Sequence, residues 1–119
     1  MGLIANLSVA LVALLHVYFL ILEMFLWTKP TGLRTFSLTP EFAQASKTLA
    51  ANQGLYNGFL AAGLLFGLFS PVGFTFKLFF LGCVIVAGLY GGLTVGRKIL
   101  FVQALPGLIA LALVLLAGN

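Results

Sequence analysis

"LIANLSVALVALLHVYFLILEMFLW", residues 3–27, runs for twenty-five positions with one acidic residue and no basic one. A helix needs about 20 predominantly apolar residues to cross a bilayer. No basic residue precedes the run, and its apolar core is longer than that of a secretory signal, so it reads as a retained membrane helix. The closing "WTKP" fits that reading. Trp27 suits the interface, Lys29 anchors in the headgroups, and Pro30 ends the helix.

The rest of the chain has the same character. Of its 119 residues 62% are apolar and 7% are charged, with a mean hydropathy of +1.21. A soluble domain carries about 25% charged residues. With so few charges, most of the surface is expected to meet lipid rather than water. The net charge of +4 comes from six basic residues against Glu23 and Glu41. The basic residues lie at helix ends, where they orient the chain and face anionic headgroups, so membrane lipids are the expected partner and nucleic acid is not. Cys83 is the single cysteine, which excludes an intramolecular disulfide or a cysteine metal cluster.

Four spans follow, at about 3–27, 48–69, 74–95 and 99–117. The fold class is therefore all-α, a polytopic membrane protein with four transmembrane helices in one antiparallel bundle over 1–119. "TKPTGLRTFSLTP" reads as the first loop. Thr39 then Pro40 read as an N-cap followed by proline at the first helical position. "SPVG", residues 70–73, is a tight turn, and Pro106-Gly107 is read as a kink in the last span. Lys29, Arg34 and Lys47 flank the first connection, Arg97 and Lys98 the third, and only Lys77 the second. The positive-inside rule then puts both basic connections in the cytoplasm and both termini outside.

Glycine spacing predicts how two of these helices meet. GLYNG at 54–58 and GLYGG at 88–92 are placed symmetrically about Gly73: Gly54 and Gly92 are each nineteen residues away, Gly58 and Gly88 each fifteen. Small residues at every fourth position let membrane helices approach closely. Gly54 and Gly58 are therefore expected to pack against Gly88 and Gly92.

A polar layer is also predicted. Counted from each cytoplasmic end, Glu23, Asn52, Gln53, Tyr90 and Gln103 all fall about 6 to 8 Å below the boundary at 1.5 Å per residue. Asn52 with Tyr56, and Gln53 with Asn57, are each one helical turn apart and form a strip. His16 lies deeper, on the same face of the first helix as Glu23 but about 10 Å from it along the axis. An ionisable group in a membrane faces the bundle interior or a wet cavity and finds a partner there. Glu23 is thus expected to meet the amides of Asn52, Gln53 and Asn57. No metal site is expected from one histidine and one intramembrane glutamate. The chain has no aspartate, so a Ser-His-Asp arrangement is excluded.

"HVYFLILEMFLW" at 16–27 and "ANQGLYNGFLAAGL" at 51–64 resemble the bacterial four-helix membrane family catalogued as domain of unknown function 1304, over essentially the whole chain. The resemblance implies a bacterial cytoplasmic membrane and directs attention to His16, Glu23, Trp27 and the Asn52–Gly58 run; it implies no activity. Gln53-x-x-Tyr56-Asn57 is similar in spacing to the Asn-x-x-Glu-Asn of the membrane-associated eicosanoid and glutathione metabolism family, without that family's glutamate and arginine. Glu23 resembles in kind the first-helix glutamate of the small multidrug resistance family. It lies closer to the helix end, and the third helix here has no tryptophan.

The leading reading is a protein that binds a small lipophilic or amphiphilic ligand in the cytoplasmic-leaflet half of the bundle. Glu23, Asn52, Gln53, Tyr56 and Asn57 would be its polar contacts and His16 its floor. If the site carries chemistry, Glu23 or His16 is its acid–base group. The alternatives are a proton-coupled exporter acting through Glu23 as an oligomer, and a structural membrane protein whose polar layer sets helix register. A homo-oligomer is expected; the sequence assigns no cofactor.

Overall fold

Helix α1, Gly2–Met24, has no acidic residue in its first turn and no basic one in its last. One of its faces buries small residues, Ala5, Val9, Val12 and Ala13, while Leu3, Leu7, Leu11 and Leu14 lie exposed. In this first half of the helix the buried side carries the smaller apolar residues; further along, His16 and Leu22 are buried as well. The computed structural model describes residues 2–118. Among them the chain is all-helical: α2 Pro30–Phe36, α3 Pro40–Phe69, α4 Gly73–Thr94 and α5 Arg97–Ala117 follow α1.

Three of these helices, α1, α4 and α5, are long and apolar enough to cross a membrane. The fourth predicted span lies within α3, which is long enough at 30 residues. It falls short in composition, because Asn52, Gln53 and Asn57 occupy positions that the other helices fill with apolar groups.

The first connection is not the plain loop expected. It folds into α2, with Pro30 at its first position and Ser37 in the left-handed conformation (φ 53°) at its end. Proline there costs no helical hydrogen bond, because the first N–H groups of a helix are unpaired anyway. The Thr35 hydroxyl donates to the Thr31 carbonyl at 2.7 Å. Gly32 is buried against the Leu26 carbonyl, where a Cβ would collide with backbone. The expected cap of α3 is present: Thr39 Oγ1 accepts from the Phe42 N–H at 3.1 Å.

The last helix opens with irregular winding. Leu100–Ala104 form a π turn, and the Leu105 N–H reaches the Leu100 carbonyl, five positions back. Pro106 follows at once and has no N–H to continue the ladder; the wider turn absorbs that break.

By packing, the chain falls into two compact units, one comprising residues up to Leu14 and from Leu60 onward, the other Leu15–Phe59. The core of the first draws on α1 (Ala5, Val9, Val12, Ala13), α3 (Leu64), α4 (Leu81, Val84) and α5 (Ala110, Val114). Gly88 of α4 lies so close to α5 that a Cβ would sit 2.6 Å from the Ala104 nitrogen. Gly92 faces Leu100 in the same way. In the second unit Gly54 lies against Glu23, Met24 and Leu20, and Gly58 against Leu20.

These contacts correct the predicted pairing of the two glycine motifs. Each pair does seat helices closely, but GLYNG receives α1 and GLYGG receives α5. Symmetric spacing about a turn sets the level of two motifs; the face each presents depends on side chains elsewhere in the helix.

Candidate functional site

The second unit holds the candidate site. The end of α1 brings Glu23 there, and α3 brings Asn57. The Asn57 Nδ2 donates to Glu23 Oε1 at 2.5 Å. Asn57 is buried and Glu23 half-buried. A carboxylate bonded to an amide donor is oriented, and its second oxygen keeps its acceptor capacity. Among the described residues Glu23 Oε2 has no hydrogen-bond partner, and no buried side-chain polar atom lacks one, so this oxygen is open.

A cavity of about 310 Å³ adjoins Glu23, lined also by Met24, Phe25, Trp27, Thr28, Lys47, Thr48, Ala51 and Asn52. Trp27 is held in place there. Its indole Nε1 donates to Ser46 Oγ at 3.0 Å, and the Ser46 hydroxyl donates to the Phe42 carbonyl at 2.7 Å. Its ring also packs on Phe36 of α2 at a centroid distance of 4.9 Å. The indole thus joins α1's exit, α2 and α3.

The other predicted site residues divide. Asn52 lines the cavity, and its Nδ2 donates to the Thr48 carbonyl one turn back, at 2.9 Å. Gln53 and Tyr56 are exposed and do not line it; the Tyr56 ring tilts on Phe59 at 6.1 Å. His16 is fully buried, edge-on to Phe19 at 5.2 Å, and is not part of the cavity wall. The strip on α3 therefore splits: Asn52 lines the cavity and Gln53 does not. Among the described residues no group of three His, Cys, Asp or Glu could hold a metal.

Four wall residues that could serve as ligand groups escaped the sequence reading: Trp27, Thr28, Lys47 and Thr48. Trp27 and Lys47 counted there as interface and topology markers. Spacing could have found Lys47, since it stands one turn before Ala51 on α3.

None of the polar positions of the first unit lines this cavity. Tyr90 is exposed, and Gln103 lies half-buried on the π turn. Lys77, taken from the sequence as a flanking charge, is buried in α4, and its Nζ donates to Asn6 Oδ1 of α1 at 2.9 Å.

The family described as "Protein of unknown function (DUF1304)" matches residues 10–115, which contain α2, α3, α4 and the whole cavity wall. The chain belongs to this family. The uncharacterized protein YpaA of Lactococcus lactis subsp. lactis (strain IL1403) is similar to it, 37% identical over 107 residues that cover 87% of this chain and 88% of the relative. No solved structure matches. Family membership thus agrees with the resemblance carried by residues 16–27 and 51–64, and it brings no activity with it.

Proposed function

We propose that this member of the family is a polytopic protein of the bacterial cytoplasmic membrane that binds a small amphiphilic ligand beside Glu23. Four spans cross the bilayer in one antiparallel bundle, the amide-bearing α3 completing the set, with both termini outside. Three helices of spanning length and apolarity support this. So do the large exposed side chains along them, such as Leu7, Leu11, Phe79, Val86 and Leu116, which would be costly in water. The relative is a bacterial protein, which supports the bacterial part of this reading.

One observation carries the ligand reading: an oriented carboxylate with an open oxygen borders a cavity of about 310 Å³. Ligand sites are concave and carry convergent polar groups; here Glu23, Thr28, Lys47, Thr48 and Asn52 share the wall with Met24, Phe25, Trp27 and Ala51. A carboxylate within a membrane helix is also an expensive way to hold two helices together, since a neutral amide would serve. Glu23 and Asn52 are the polar contacts of this site, and Asn57 positions Glu23. The functional form is a homo-oligomer.

Photocrosslinking in cells tests the reading. With Thr48 replaced by photoreactive p-benzoylphenylalanine, irradiation is expected to give a defined small-molecule adduct that disappears when Glu23→Gln is added. Adducts that are identical with and without Glu23→Gln would overturn it.

A further inference from the structure

The cavity wall carries one acidic and one basic side chain. Glu23 of α1 and Lys47 of α3 both line it, yet among the described residues no ion pair joins them. Lys47 is exposed, on a flexible four-carbon stem, and makes no hydrogen bond with a described residue. Glu23 is held by Asn57 with Oε2 open. The wall therefore offers an acceptor of fixed direction and, at a separate point, a movable cationic donor.

Resting on the ligand reading above, we infer that the cavity takes a zwitterionic group of the phosphoethanolamine class, with its ammonium on Glu23 and its phosphate on Lys47. A ligand carrying only an anion would be repelled by Glu23, and one carrying only a cation by Lys47; a molecule with both satisfies each wall charge and rejects neither. The ammonium supplies three donors, which suits the open carboxylate oxygen. The indole of Trp27, held by Ser46, borders the same space and favours a cation near its face. Lysine binds phosphate as a point charge that needs no fixed fork geometry. The Thr48 hydroxyl, on the same wall, adds a donor.

Size selects the headgroup rather than a whole lipid. About 310 Å³ is at the lower end of the ~300–1,000 Å³ typical of small-molecule sites. Phe25 both lines the cavity and is 64% exposed, so acyl chains would leave along an apolar surface. The same chemistry could come from a phospholipid headgroup or from free phosphoethanolamine.

Trp27 is the single tryptophan, so its emission reports binding directly. The full chain in dodecyl maltoside, an uncharged detergent, is titrated with dioctanoyl phosphatidylethanolamine, with dioctanoyl phosphatidylglycerol, and with free phosphoethanolamine as competitor. The ethanolamine lipid is expected to bind about tenfold or more tighter than the glycerol lipid, and Glu23→Gln and Lys47→Met are each expected to weaken it about tenfold. Lys47 is exposed, so its variant keeps the fold whatever Glu23→Gln does. Displacement by free phosphoethanolamine at similar concentration would assign a soluble source, and no displacement a lipid one; both support the site. Equal affinity for the two lipids, or Lys47→Met without effect while Glu23→Gln weakens binding, would overturn the zwitterion and leave the ligand reading standing. No response to any probe, together with no adduct at position 48, would overturn both.

Discussion

The Asn57 amide donates to the Glu23 carboxylate at 2.5 Å, joining α1 to α3 across thirty-four positions of sequence. This bond makes Glu23 a directed acceptor and also ties the two helices together. Asn57→Leu removes the donor and leaves a half-buried carboxylate short of one partner, which is expected to cost about 1–3 kcal/mol of stability. A double-mutant cycle with Glu23→Leu separates this bond from general packing. Its coupling energy is expected near 1 kcal/mol, in the range of interhelical hydrogen bonds in membranes. Reversible unfolding in mixed micelles measures it, and strictly additive losses would count against the bond.

Gly88 sets the approach of α4 to α5. A Cβ there would lie 2.6 Å from the Ala104 nitrogen, a backbone atom that cannot swing aside, whereas one on Gly82 would meet nothing within 4 Å. Gly88→Ala is expected to destabilise by about 1–3 kcal/mol, the usual cost of overpacking. Gly82→Ala should be neutral or stabilising, since alanine is favoured over glycine in a helix by about 1 kcal/mol. Thermal melts of the two variants side by side give the comparison.

Lys77 and Asn6 join α4 to α1 inside the first unit. Asn6→Leu takes one acceptor from a buried ammonium and is expected to cost about 1–3 kcal/mol. In Lys77→Met the charge is gone, so adding Asn6→Leu should cost much less than it does alone. Unfolding of the single and double variants checks this, and full additivity would mean that the two groups act independently.

Trp27 gives an optical reading of the cavity wall. Its indole is held by Ser46 Oγ at 3.0 Å and by the Phe36 ring. Ser46→Ala is expected to free the ring at one end, shift its emission to longer wavelength and lower its anisotropy. Unchanged emission would contradict the hydrogen bond.

Much of this was legible in the sequence, for identifiable reasons. Apolar runs bounded by Trp27-Lys29-Pro30, Ser70–Gly73 and Gly96–Lys98 locate helix ends because proline, glycine and charge act locally. The Thr39 cap was readable for the same reason. That Glu23 meets an amide of α3 was legible, because a carboxylate in an apolar chain has few other partners; the depth count matched it to Asn52 and Gln53, and the bond is made by Asn57, about one turn further along the helix. Helix facing was not legible. In α1 most positions are apolar, so no polar face marks the outside, and Leu22 is buried while Leu3, Leu7, Leu11 and Leu14 are exposed. That is why GLYNG turned to α1 instead of GLYGG, and why Gln53 and Tyr56 came to lie outside the cavity. Lys77 was misread because an ammonium near a turn looks interfacial until a partner as remote in sequence as Asn6 is known.

Native mass spectrometry of the protein released from nanodiscs, wild type beside Glu23→Gln, tests most directly whether Glu23 serves a ligand. Glutamine keeps the acceptor for Asn57, so the variant should fold and show the same oligomer. A discrete small-molecule mass retained by the wild type and lost from Glu23→Gln is the expected result. Identical spectra, with nothing beyond bulk lipid on either protein, would contradict it and leave Glu23 as a helix-pairing group.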